Sequence, residues 1–137
     1  MRLRRPRVPR RAAAAVELAV LLPFIAYVTV IGVDWARLFY YTVTIEQCAR
    51  SGALWASDPT TQSESGYTTV TQAALASAPG LTPAPTVTSL SSTVDSRPAV
   101  QVTVTYSFKT ITSFPGVPKN ETLVRRVTMR VVPAAPN

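Results

Sequence analysis

A carboxylate stands near the start of an otherwise apolar run, directly behind a cluster of cations. Glu17 lies within residues 12–33, and the stretch before that run carries Arg2, Arg4, Arg5, Arg7, Arg10 and Arg11. The chemistry open to such a group is charge pairing inside a low-dielectric medium. On membrane-insertion scales an Asp at a helix centre costs about 2.5–3.5 kcal/mol, and a carboxylate nearer the end costs less. A cation held on a neighbouring element offsets that cost, so the sequence asks what partner Glu17 has.

Other kinds of chemistry are poorly supplied. The chain has no histidine, which removes the commonest general base and metal ligand. Glu17, Asp34, Glu46, Asp58, Glu64, Asp95 and Glu121 are scattered singly, without metal-ligand spacing. Neither a glycine-rich phosphate loop nor an activated-serine motif is present. The expectation is a protein that is not an enzyme and takes no cofactor or metal. The single cysteine, Cys48, rules out an intrachain disulfide framework. Among small neighbours (Ala49, Ser51, Gly52 and Ala53) it reads as a packing residue, with a bridge between two chains as the alternative. Asn120-Glu121-Thr122 fits the N-glycosylation pattern, a three-residue match that arises often by chance.

The net charge of +7 would point to nucleic acid if it were spread over a folded face. It is not, because the leader carries six of the fourteen basic residues. The remainder sets eight Lys or Arg against seven Asp or Glu, a balance of +1. No nucleic-acid partner is expected. Cations clustered before an apolar run predict topology instead: Arg4, Arg5, Arg7, Arg10 and Arg11 stay in the cytoplasm and the bulk of the chain lies outside.

The elements that would position these groups follow from composition and period. Residues 1–11, with Pro6 and Pro9 among like charges, form a basic cytoplasmic leader. Residues 12–33 form a transmembrane helix segment, about 33 Å long at 1.5 Å per residue, which is enough to cross a bilayer. Pro23 is expected to interrupt or kink it by removing one backbone hydrogen bond. The helical pattern continues through residues 34–57, outside the membrane. Trp35, Leu38, Phe39, Thr42, Ile45, Ala49, Gly52 and Ala56 recur at mostly three- and four-residue steps, with Arg37, Tyr41, Thr44, Gln47 and Ser51 on the other side. Asp34 and Arg37, three apart, are expected to pair on the surface, and Trp35, Phe39, Tyr40 and Tyr41 to form an aromatic belt. Asp34, Trp35 and Arg37 thus mark the membrane boundary.

Residues 58–137 read as a small outer α+β domain. Asp58-Pro59 ends the long helix, and residues 68–78 form a short second one. Residues 99–108 alternate strictly, with Val100, Val102, Val104, Tyr106 and Phe108 on one face. Residues 122–132 form a second strand, with Arg125 the exception on its apolar face, and residues 86–94 a weaker third. A proline-rich turn at residues 114–118 joins the two better strands. Three antiparallel strands with one apolar face need a cover, which Trp35, Leu38, Phe39 and Ile45 would supply, and their edges would be open to a neighbouring chain.

Three blocks of sequence then carry a resemblance. Residues 10–23 (Arg-Arg-Ala-Ala-Ala-Ala-Val-Glu-Leu-Ala-Val-Leu-Leu-Pro), residues 32–40 (Gly-Val-Asp-Trp-Ala-Arg-Leu-Phe-Tyr) and residues 47–53 (Gln-Cys-Ala-Arg-Ser-Gly-Ala) resemble the TadE-like family, pseudopilins of tight-adherence (Tad, or Flp-type) pilus systems. The resemblance implies a minor pilin-like subunit of the bacterial inner membrane, single-pass, with other pilin or pseudopilin subunits, a prepilin peptidase and an inner-membrane assembly platform as partners. It also implies a cut between Ala12 and Ala13, which would make Glu17 the fifth residue of the mature chain. The new α-amine at Ala13 would then pair with Glu17 of an adjacent subunit. The residue before the cut is often glycine in pilins and is Ala12 here. With the leader retained, Arg10 or Arg11 would be the partner of Glu17. Two other classes remain open on the residues alone: a single-pass anchor for a small binding domain, and a secreted or periplasmic protein with an N-terminal signal peptide.

Overall fold

The computed structural model describes residues 10–111 and 119–133. The leader up to residue 9 and the expected turn at residues 114–118 lie outside the described residues. Helix α1 (Arg10–Ser57) has 48 residues and is about 72 Å long at the standard rise. Its first half is built from Ala, Val, Leu and Ile, which lose little in a helix when packed or in lipid. Pro23 lies inside it and the helix runs on unbroken. The expected interruption is therefore confined to the hydrogen bond that Pro23 cannot donate to the Ala19 carbonyl.

Two short helices follow, one more than the sequence pattern predicts. In α2 (Pro59–Glu64), Asp58 is the N-cap and Pro59 opens the first turn. Asp58 accepts from the Thr60 N–H at 2.9 Å and the Thr61 hydroxyl at 2.9 Å. The same Asp-Pro pair that stops α1 thus starts the next helix. In α3 (Val70–Leu75), Thr69 caps by accepting from the Gln72 N–H at 3.2 Å. The Gln72 side chain reaches back to accept from the Thr68 N–H at 2.9 Å, close to a capping-box arrangement.

Strands β1 (Thr86–Val94), β2 (Arg97–Lys109) and β3 (Asn120–Arg130) form one antiparallel sheet in the order β1-β2-β3. A two-residue turn joins the first pair, with Asp95 at φ 51° and Ser96 at φ 61°. Both central residues in the left-handed region is the signature of the turn that matches strand twist. Along β2, Val102, Val104, Tyr106 and Phe108 are buried, and on β3 Leu123, Arg125, Val127 and Met129 share the inner face. The α+β architecture is therefore a long N-terminal apolar helix, short helices and a three-stranded antiparallel sheet.

The core lies between the outer half of α1, α3 and the inner face of the sheet. Ile45, Cys48, Ala49, Ala53, Ala74, Val102 and Val104 are among its buried members. Gly52 makes the closest approach: a Cβ there would lie 3.1 Å from Ala74 Cβ and 3.3 Å from Val102 Cγ1 and Val70 Cγ1.

The packed face of α1 is rotated from the expected one. Leu38 and Ile45 do face the sheet, but Trp35 and Phe39 are 49% and 68% exposed. Tyr41, expected outside and in the aromatic belt, packs instead against Tyr106 and Phe108, with ring centroids 5.3 Å away in each case. Small residues decide this rotation. Cys48, Ala49, Gly52 and Ala53 allow the sheet within contact distance, and their side of the helix carries Tyr41 and Asp34 with it.

Candidate assembly and membrane-anchoring site

The first half of α1 is long and apolar enough to cross a membrane, and none of its most apolar window is buried by the rest of the chain. Val16, Leu18, Leu21, Phe24 and Ile25 are all more than half exposed. Such a surface needs lipid or another apolar helix around it. Glu17 is exposed on this surface. Among the described residues the ion pairs are Arg37–Asp34, Arg50–Glu46 and Arg130–Asp95, and Glu17 belongs to none of them. Ala13 and Glu17 are one turn apart, so the two positions share a helix face. Arg10, Arg11 and Ala12 fall at the N-terminal end of α1, whereas Arg4, Arg5 and Arg7 lie outside the described residues.

At the other end of the apolar run a second acid does different work. Asp34 pairs with Arg37 at 3.3 Å as the spacing predicts, but not on the surface: its side chain is 2% exposed. Its Oδ1 also accepts from the backbone N–H of Ile111 at 3.1 Å. Arg37 lies over the rings of Phe108 at 5.4 Å and Tyr41 at 5.8 Å. The guanidinium therefore holds the carboxylate from one side while stacking on the aromatic end of the core. The boundary residues thus divide: Asp34 and Arg37 tie helix to sheet, and Trp35 faces outward. Ile111 was not legible as their partner, because a backbone N–H so distant in sequence leaves no spacing signal.

The remaining reactive groups are used structurally. Cys48 is fully buried and burial pushes its thiol up, which disfavours the thiolate that exchange requires. A bridge between chains through Cys48 does not fit this packing. The Tyr106 hydroxyl donates to the Thr82 carbonyl at 3.3 Å, and burial raises it as well. The Trp55 indole N–H donates to the Ser65 hydroxyl at 2.8 Å, fastening the end of α2 to α1. Among the described residues no three of His, Cys, Asp and Glu come together as a metal site.

Residues 12–54 match the family model of TadE-like protein, in agreement with the resemblance carried by the three sequence blocks. The matched segment holds Glu17, Asp34, Trp35, Arg37 and Gly52, and the whole sheet lies beyond it. No curated protein and no solved structure matches the chain.

Proposed function

We propose that this chain is a membrane-anchored, pilin-like structural subunit, a minor pseudopilin, in the assembly of a Tad-type pilus or a related secretion machine. The observation that carries this reading is Glu17, an acid on an apolar helical segment that the rest of the chain leaves unburied, inside the segment that matches the TadE-like model. The leader arginines hold the N-terminus in the cytoplasm of a bacterium, residues 12–33 cross the inner membrane, and the α+β domain stands outside.

A prepilin peptidase cuts between Ala12 and Ala13 and leaves an α-amine one helical turn from Glu17. Amine and carboxylate are each costly alone in lipid and attract strongly when paired there. A subunit whose amine meets Glu17 of its neighbour is fixed in stagger as well as in contact. Exposed apolar residues around Glu17 then pack helix on helix. The chain acts through binding, with pilin-like subunits and an inner-membrane assembly platform as partners, and performs no catalysis.

N-terminal sequencing of the protein extracted from bacterial membranes tests this. A mature chain that begins at Ala13 is the expected result. A mature chain lacking the entire apolar run, released in soluble form, contradicts the anchored reading.

A further inference from the structure

The outer domain lies lengthwise along α1, and this orientation fixes which end of it meets the membrane. Gly52 of the helix sits against Val102 of β2, Tyr41 against Tyr106 and Phe108, and Asp34 against Ile111. From residue 34 to residue 52 a helix rises about 27 Å. From residue 109 back to residue 102, β2 covers about 23 Å, and residues 110 and 111 continue beyond its end. These near-equal lengths place β2 alongside the helix axis and antiparallel to it. The β2–β3 end of the sheet is therefore level with Asp34, immediately beyond the apolar run.

The groups presented at that level have interfacial chemistry. Ile111 is 69% exposed although its own N–H is bonded to a buried carboxylate. Trp35 is 49% exposed and Tyr40 is 64% exposed on the adjoining helix. Lys109 and Lys119 are exposed beside Ile111, where the Thr110 N–H donates to the Lys119 carbonyl at 3.4 Å. Glu121 is the exposed acid nearby on β3, and the Arg37 charge is taken up by Asp34. An exposed apolar side chain flanked by exposed lysines, at the level of an exposed indole, matches a headgroup boundary rather than bulk water.

Resting on the membrane-anchored reading, we infer that Ile111, Lys109 and Lys119, where β2 ends and β3 begins, form a second lipid contact, with Ile111 inserted at the bilayer interface and the two lysines on headgroup phosphates. The domain then stands on the membrane at two points, the helix and the residues around Ile111, with Asp34 locking them together. A domain so held cannot swing about the helix, and it presents β1 and α3 in one direction.

The test uses the full chain in phospholipid vesicles with an environment-sensitive fluorophore on single introduced cysteines: Ile111→Cys, Leu90→Cys on the exposed face of β1, and Leu21→Cys in the apolar run. Native Cys48 is fully buried, and labelling of the parent chain measures its background. The expected result is strong quenching by lipid-borne nitroxides at position 21. Position 111 should be quenched several-fold more than position 90 and shielded from aqueous iodide. Changing Lys109 and Lys119 together to Glu should reduce the quenching at 111 and leave 21 unaltered. If 21 is quenched while 111 behaves like 90, the contact at Ile111 is wrong and the anchor stands. If 21 itself is open to iodide and not to lipid, the anchored reading fails and this inference fails with it.

Discussion

Asp34 Oδ1 accepts a hydrogen bond from the backbone N–H of Ile111, joining positions 77 apart in the chain at a side chain that is 2% exposed. The same oxygen meets Arg37, so one carboxylate satisfies a backbone donor and a cation while pinning the sheet's end to the helix. Replacing Asp34 by Ala leaves a part-buried guanidinium and an N–H without this acceptor. The expected loss is about 2–3 kcal/mol, in the range of hydrogen bonds to charged groups and below that of a fully buried pair because Arg37 keeps access to water. Thermal unfolding of the full chain in detergent measures it. Amide hydrogen exchange at Ile111 should accelerate more than exchange in the middle of β2, and equal protection in both proteins would contradict the role assigned to Asp34.

Gly52 is the point at which α1, α3 and β2 converge. A methyl group there would meet Ala74, Val102 and Val70 at 3.1–3.3 Å, and the Ala74 Cβ can retreat only if α3 moves. Gly52→Val should therefore destabilise the outer domain by about 1–3 kcal/mol. Gly52→Ala should be milder, since a gain of up to about 1 kcal/mol in helix propensity works against the crowding. Denaturant midpoints for the two variants decide the matter. A Val variant as stable as the parent would show that the contact is looser than described.

Asp58 makes the short helix α2 sensitive to acid. Hydrogen bonds from the Thr60 N–H first, and then from the Thr61 hydroxyl, hold its carboxyl below the ordinary carboxylate value. A folded value below the unfolded one means that the stabilisation is complete above about pH 3.9, the unfolded value, and is lost as pH falls through the folded value. Asp58→Ala should lower the melting temperature at neutral pH, and its difference from the parent should shrink in that acid window, where the carboxyl loses its charge. Trp55, bonded to Ser65 at the end of α2, reports the change by fluorescence in a Trp35→Phe background. A difference that stays constant down to the lowest pH would remove Asp58 as its source.

How much of this was legible in the sequence depends on the range of the interaction. Alternation in β2 placed Val102, Val104, Tyr106 and Phe108 inside correctly, because a period of two leaves no choice of face. The rotation of α1 is not legible from hydrophobicity, which points to the largest apolar side chains, Trp35 and Phe39, as the cover. Contact with the sheet selects small residues instead, and Trp35 and Phe39 are left exposed. Asp34 read as a surface partner of Arg37, since nothing local announces that a strand end will close over it. Asp58-Pro59 read as a stop, though a capping acid followed by proline is equally a start. Glu17, by contrast, was legible at once. A charge in an apolar run is conspicuous, and the fold adds only that its own chain leaves it exposed.

That exposed acid carries the central claim, and its replacement in cells is the most direct measurement. Glu17→Leu removes the charge while keeping an apolar span, so insertion should be unchanged or easier. Membrane fractionation and cross-linking of the variant should show normal amounts of inserted chain and a loss of cross-links to neighbouring pilin-like subunits, together with a fall in surface pili. Glu17→Asp should restore part of both, limited by its shorter reach. Normal cross-linking and normal pili in the Leu variant would contradict the account, because the charge pair would then have no part in assembly.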